Sequence, residues 1–163
     1  MKRPLAAFRG FTLLELMVVV AVIAILSMMV IPSYRDRIVR QQVADTLDGL
    51  AFARGAIATR FVAKGTFPAD NDEAGLPPPD KIVSNLVSAV LIESGAIHIT
   101  FGNRANGAIR GKVLTLRPAV VEDAPVVPVA WVCGLAPVPG NMTAKGANRT
   151  NVPANYLPLK CRA

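Results

Sequence analysis

The residue whose chemistry stands out is Glu15, the single charged side chain in an otherwise apolar segment formed by residues 11–31. An unpaired carboxylate inside lipid costs on the order of 2.5–3.5 kcal/mol, so acids in such segments are candidates for function. A positive amine at Phe11, one helical turn away in the same chain or on a neighbouring helix, would neutralise Glu15. Alternatively, the carboxylate lies near enough to the end of the segment to extend toward lipid headgroups.

Few other side chains suggest chemistry. Cys133 and Cys161 are the two cysteines, and they are the obvious disulfide pair if this part of the chain leaves the cytoplasm. His98 is the single histidine, which disfavours His-centred catalysis and a His-rich metal site. Because no Ser/His/Asp set, metal-ligand cluster or glycine-rich phosphate loop occurs, we predict neither an enzyme nor a bound cofactor.

The apolar segment itself predicts a membrane helix. Its 21 residues would extend about 31 Å as a helix, enough to cross the hydrocarbon core of a bilayer. A short basic leader, residues 1–10, precedes it. An ordinary secretory signal is cut after its apolar run at a small-x-small site, and the residues that follow position 31 offer no good site of that kind. A permanent single-span anchor is the simplest interpretation from these features alone.

A second helical pattern follows the apolar segment. Pro32 is expected to kink the helix there and not to end it. Beyond it, apolar side chains recur at helical spacing at Val43, Leu47, Leu50, Ile57 and Phe61. We therefore predict one helix from about residue 11 to about residue 62, with an amphipathic second half that packs against a head domain.

The rest of the chain predicts a small antiparallel sheet. Strands are expected at residues 84–92, 96–101, 112–117 and 126–133. Glu93-Ser94-Gly95 would form the first hairpin turn, and Pro128 indicates a sheet edge or a bulge. Residues 64–81 and 134–163 are predicted loops. The expected fold is α+β, with a long helix on a roughly four-stranded antiparallel sheet.

The N-terminal sequence Gly10-Phe11-Thr12-Leu13-Leu14-Glu15-Leu16-Met17 resembles the cleavage and assembly motif of type IV prepilins. The resemblance implies cleavage between Gly10 and Phe11 by a prepilin peptidase, N-methylation of Phe11, and a role for Glu15 in filament assembly. It divides the chain into a leader, residues 1–10; a transmembrane and later filament-core segment, residues 11–31; and an amphipathic half-helix with a globular head, residues 32–163.

Several later stretches resemble type IVa major pilins, which carry a disulfide-bounded C-terminal region. They are residues 100–103, residues 111–118, the Trp131 and Cys133 pair, and residues 156–162. The resemblance implies a homo-oligomeric helical filament on the surface of a Gram-negative bacterium. It also implies adhesion, twitching motility and DNA uptake, with the precursor held in the inner membrane and delivered to pilus assembly machinery there. A minor pilin, a type II secretion pseudopilin and an ordinary anchored periplasmic domain remain alternatives.

The charge of the chain suggests anionic partners. The formal charge is +7, and removing the three basic residues of the leader leaves +4. Residues 104–163 hold eight basic side chains against two acidic ones. If these face outward together they could hold DNA through its phosphates, bind an anionic host-cell surface, or neutralise neighbouring subunits. Lys145 and Arg149 are the candidate DNA contacts.

Overall fold

The structure is a computed structural model that describes residues 10–163 apart from 123 and 125, and no side chain of residues 29–33. The fold has two compact units, which divide between Arg35 and Asp36. The leader expected at residues 1–10 therefore lies outside the described residues except for Gly10.

Two helices occupy the first part of the chain. Helix α1 spans Leu13–Gly49 and helix α2 spans Ala51–Lys64. Helix α1 continues through position 32, as expected for a proline that does not end the helix. The kink at Pro32 stays a prediction, because that side chain lies outside the described residues. Helix α2 ends where Gly65 adopts the left-handed conformation and its N–H donates to Phe61 O at 2.8 Å.

The expectation of one unbroken helix over about residues 11–62 is wrong in one respect. The backbone leaves the helical conformation at Leu50, with φ −99° and ψ 18°, before α2 begins. Gly49 directly precedes this point, and glycine costs about 1 kcal/mol relative to alanine in a helix. The Leu50 side chain is buried, so the break places an apolar group in the core at a point where the helix is intrinsically weak.

The membrane segment predicted over residues 11–31 is only partly described. Within the described part of the chain, no helix combines the length and apolarity needed to cross a membrane. The side chains of residues 29–31 lie outside that part.

The sheet of the head has one more strand than predicted. The strands are β1 (Val87–Glu93), β2 (Ala96–Phe101), β3 (Val113–Val120), β4 (Ala130–Cys133) and β5 (Thr143–Ala144). All pairings are antiparallel in the order β1-β2-β3-β4, and β5 pairs with the end of β3. The α+β prediction is confirmed. Strand β5 was missed because a two-residue strand depends on its partner and leaves no alternating pattern in the sequence.

Turn and proline chemistry explain the strand ends. Ser94 and Gly95 have φ of 51° and 80°, so the predicted hairpin turn is confirmed. The strand predicted over residues 126–133 begins only at Ala130, after Pro128, because proline cannot donate to the ladder. Strand β3 instead continues past Pro118, where pairing with β2 has already ended at Leu116.

The loop after α2 is less exposed than predicted. Within it, Asn71 is buried, and its amide oxygen accepts Ile92 N–H at 2.8 Å while its amide nitrogen donates to Val90 O at 3.0 Å. The side chain thus replaces a missing neighbour at the free edge of β1. One buried polar residue therefore holds the loop. The proline-rich sequence gives no sign of this contact, so it suggested an exposed loop.

The core lies between the helices and one face of the sheet. It contains Val43, Leu47, Leu50, Ala53 and Ile57 from the helices, and Val90, Ile92, Ile97, Ile99, Leu114 and Leu116 from the strands. Cross-strand partners such as Ile97 and Leu116 lie on this face together. The predicted apolar helical stripe is therefore the face that packs on the sheet.

Replacing Ile57 by alanine should lower the free energy of unfolding by about 2–5 kcal/mol, because the side chain is fully buried and its loss leaves a cavity. Val62 lies on the same helix but is 77% exposed, so Val62→Ala should change stability by less than about 0.5 kcal/mol. Urea unfolding of the full chain in detergent micelles measures both. Equal midpoints for the two variants would contradict this placement of the core.

Candidate functional site

The N-terminal site begins at a helix cap. Thr12 O accepts the first helical hydrogen bond, from Leu16 N at 3.2 Å, and Thr12 Oγ1 accepts Glu15 N–H at 3.2 Å. Thr12 and Glu15 therefore stand at the spacing of a Thr-x-x-Glu capping box, of which the bond from Glu15 N–H to the Thr12 side chain is formed. Thr12 was not among the predicted site residues, although the spacing alone signals this role. Glu15 also lies in the first helical turn, where the partial positive charge of the helix start favours a carboxylate.

Apolar side chains surround this site and are open to solvent. The large exposed ones between residues 11 and 28 are Phe11, Leu13, Leu14, Leu16, Met17, Val18, Val19, Val20, Val22, Ile23, Ile25, Leu26 and Met28. Such a continuous apolar surface marks a site that lipid or another protein covers. Gly10, Phe11 and Glu15 are themselves exposed at one end of this surface. The structure thus presents a carboxylate at the end of an uncovered apolar helix.

In the head, the predicted disulfide is present. Cys133 at the end of β4 is bonded to Cys161, and both are buried. Leu135 N–H donates to Cys161 O at 2.9 Å, so the backbone beside the bridge is also paired. The bridge attaches the chain terminus to the last strand of the main ladder and closes a loop between positions 28 apart in sequence.

The two candidate DNA contacts are each paired with an acid. Lys145 Nζ lies 3.1 Å from Glu122 Oε1, and this pair lowers the pKa of Glu122. Arg149 Nη2 donates to Glu93 Oε1 at 2.8 Å. Both side chains are partly exposed, yet their charges are locally balanced. They do not form a free cationic pair.

Arg149 belongs to a polar cluster that the sequence analysis did not anticipate. His98 on β2 and Thr115 on β3 are buried opposite each other, with His98 Nδ1 3.0 Å from Thr115 Oγ1. His98 Nε2 lies 3.4 Å from Glu93 Oε2, and Arg149 N–H donates to Thr115 Oγ1 at 3.0 Å. Burial lowers the pKa of His98 below 6.5, and the Arg149 charge lowers it further, while Glu93 opposes both effects. Only the tertiary fold brings these residues together.

Comparison with known proteins assigns the family. A family described as pilin, a bacterial filament protein, matches residues 39–162, and a prokaryotic N-terminal methylation motif matches residues 5–31. The chain belongs to the pilin family. The pilin match covers the head and the methylation motif covers the apolar segment, so both units of the fold are accounted for.

Individual relatives are similar to this chain over nearly its full length. A type IV major pilin protein PilE1 of Neisseria gonorrhoeae is 31% identical over 160 residues, covering 94% of this pilin and 87% of that protein. A fimbrial protein of Neisseria meningitidis is 31% identical and covers 94% of each chain. Fimbrial protein Q of Moraxella bovis is 33% identical, covering 96% of this chain and 98% of its own. This pilin is accordingly a structural subunit of a type IV pilus at the cell surface.

Removing the disulfide should lower the free energy of unfolding by about 3.5 kcal/mol, the chain-entropy estimate for a loop of this length. Urea unfolding with and without reductant measures this loss of free energy. The double variant Cys133→Ala/Cys161→Ala is the control, because its midpoint should be low and should not respond to reductant. An unchanged midpoint on reduction of the wild-type protein would contradict a stabilising role for the bridge.

Proposed function

We propose that this pilin is a major, filament-forming subunit whose assembly depends on Glu15 and on a new amine at Phe11. The observation that carries the proposal is the exposed carboxylate beside the start of an uncovered apolar helix. Similarity to type IV major pilin proteins over most of the chain supports the major role. A minor pilin or a type II secretion pseudopilin would carry the same N-terminal site in smaller numbers.

Maturation is the first step. A prepilin peptidase hydrolyses the peptide bond between Gly10 and Phe11, which releases the leader and leaves a free α-amine on Phe11. N-methylation of this amine keeps its positive charge. The methylation motif that matches residues 5–31 supports both modifications. Before this step the apolar segment, residues 11–31, holds the precursor in the inner membrane, where the pilus assembly machinery receives it.

Assembly then pairs charges inside an apolar bundle. The exposed apolar side chains of α1 lose contact with lipid and pack against the same segment of other subunits. A charge buried in such a bundle without a partner is strongly unfavourable, whereas a paired amine and carboxylate offset much of this cost. Glu15 therefore favours one axial register between neighbouring subunits, in which its carboxylate lies beside a Phe11 amine.

The head offers further surfaces for contact between subunits. A groove of about 510 Å³ lies beside the end of α1 and includes the exposed side chains Phe52 and Val83 in its lining. At the C-terminus, Leu159 is 83% exposed. These apolar groups are suited to burial against neighbouring heads in a filament, where contacts between different patches generate a helical array.

Adhesion, twitching motility and DNA uptake are proposed uses of the assembled filament. For DNA, the pairs that Lys145 forms with Glu122 and Arg149 forms with Glu93 reduce the local positive charge. Binding through these two residues requires phosphates to compete with the carboxylates. Any such binding is therefore expected to be weak and sensitive to salt.

Mass spectrometry of sheared surface fibres should find an N-terminal peptide that begins at Phe11 and carries a methyl group on its α-amine. The same fibres should contain this chain as the dominant protein, as expected for a major subunit. A mature chain that begins at Met1, or one that lacks the apolar segment, would contradict the proposed maturation. A trace amount of the chain would identify a minor pilin.

Replacing Glu15 by glutamine should reduce the yield of sheared filaments by about tenfold or more, because the Phe11 amine would lose its charged partner in the bundle. Filament protein is measured by immunoblot against the amount of pilin in the membrane. Ser27→Ala is the matched control, since Ser27 lies in the same apolar helix and its hydroxyl donates within that helix, to Ile23 O at 2.7 Å. Wild-type yield from Glu15→Gln would refute the proposed charge pair.

A further inference from the structure

A short segment of the disulfide-closed loop, residues 145–151, covers the outer face of the sheet, and we name it the C-terminal flap. At its ends, Lys145 N–H donates to Pro118 O at 2.8 Å and Asn151 N–H donates to Val113 O at 2.9 Å. Between them, Asn148 Nδ2 donates to Gly134 O at 2.7 Å. The C-terminal flap is therefore attached mainly by hydrogen bonds.

The close approach of the C-terminal flap to the sheet depends on a glycine. Gly146 has a φ of 80°, and a Cβ added there would lie 2.6 Å from Ala96 Cβ and 3.2 Å from Glu93 O. A larger residue would lift the C-terminal flap from the hairpin. This contact places the backbone of the C-terminal flap directly over the buried side chains of the outer sheet face.

His98 is the titratable side chain beneath the C-terminal flap, and it is only 3% exposed. Each of its ring nitrogens faces a group that also binds Arg149. Nδ1 faces Thr115 Oγ1, which accepts Arg149 N–H, and Nε2 faces the carboxylate of Glu93, which pairs with the Arg149 guanidinium. The imidazole therefore lies between the two groups that attach the C-terminal flap at Arg149.

This arrangement suits a neutral imidazole with its hydrogen on Nε2. The Thr115 hydroxyl then donates to Nδ1 while its oxygen accepts Arg149 N–H. The Nε2–H group points toward Glu93, and at 3.4 Å it makes a polar contact that is too long for a well-formed hydrogen bond. The opposite tautomer would direct a lone pair at the carboxylate.

A protonated imidazole does not suit the arrangement of groups around His98. Nδ1 would become a donor, so the Thr115 hydroxyl would have to turn its hydrogen away from the ring inside a buried site. The imidazolium would also share the Glu93 carboxylate with Arg149 at close range. Arg117 lies two residues beyond Thr115 on the same strand face and adds another positive charge to that face. Lys145, also in the C-terminal flap, is paired with Glu122.

We propose that the C-terminal flap opens and closes in response to pH. Neutral His98 holds it closed on the sheet, and acidification opens it while the disulfide keeps Cys161 bonded to β4. Because Cys133 and Cys161 lie on either side of the C-terminal flap in sequence, its release does not free the chain terminus. Opening separates Arg149 from Glu93 and presents two cations, Arg149 and protonated His98, on the head surface.

The direction of the pH dependence follows from proton linkage. In the closed state burial and the Arg149 charge hold the pKa of His98 below 6.5, whereas in the open state the imidazole is hydrated and titrates near its ordinary value. The open state therefore binds more protons. Opening becomes more favourable as pH falls below about 6.5, and this gain stops below the pKa of the closed state.

Hydrogen exchange of the full chain in detergent micelles tests the proposal at pH 7.5 and pH 5.5, with each rate corrected for intrinsic exchange. Protection of the peptide that contains the C-terminal flap should fall by as much as about tenfold between these values. Protection of helix α2 should not change. In His98→Gln, which keeps a donor and an acceptor but has no titrating ring, the fall should disappear. In Lys145→Gln, which removes a charge from the C-terminal flap, it should persist.

Three results would overturn the proposal. One is an equal fall in His98→Gln and wild type, and another is a simultaneous loss of protection in helix α2 and the C-terminal flap. The third comes from the wild-type protein alone and does not depend on the folding of a variant. His98 is the single histidine, so its ring resonance can be assigned directly in a pH titration. An apparent pKa at or above 6.5 would show that closure does not oppose protonation.

Discussion

A sheet of this size has two faces, and the head of this pilin must cover both of them. The inner face is covered by a helical stripe of apolar side chains, in which Val43 and Ile57 are fully buried against the strands. The outer face is not covered by α1 or α2. It is covered near β2 and β3 by the C-terminal flap, which contributes a glycine, two asparagines and an arginine. The C-terminal flap bonds chiefly to backbone and side-chain oxygens of the sheet and its turns. Hydrophobic burial stabilises the inner face, which also holds the disulfide beside Leu116, and polar contacts stabilise the outer face.

The N-terminal unit presents the opposite condition, since its apolar side chains are exposed in the described part of the chain. Burying each large apolar side chain is favourable by about 1.5–3 kcal/mol, so this surface represents a strong tendency to associate. Apolar contact alone does not select an axial register, because neighbouring positions of Val, Ile and Leu are nearly equivalent. A single charge that requires an opposite charge does select one. In the proposed assembly, the position of Glu15 at the capped start of the helix, where its N–H bonds to Thr12, therefore matters as much as its charge.

The sequence was sufficient for the features whose signals are local or repeated. The apolar segment, the amphipathic stripe with Ile57, the hairpin turn at Gly95 and the four main strands follow from periodicity and turn chemistry. Other features depend on tertiary contacts and were missed or misplaced. The break at Leu50 combines a weak helical position with burial in the core, and Asn71 becomes a structural group only because it meets the free edge of β1.

The candidate sites also divide into those with a local sequence signal and those that depend on tertiary contacts. The cysteine pair was found because two cysteines in an exported domain are unusual in themselves. Glu15 was singled out because an acid in an apolar run is equally unusual, and its role stays a prediction. Arg149 was assigned to DNA because a basic side chain in a predicted loop gives no sign of its partner, and Glu93 is 56 residues away in sequence. Electrostatic pairing across such a separation requires the fold. The net charge of residues 104–163 therefore overstates the free positive charge on the head, and the surface properties of the filament depend on which of these pairs remain closed.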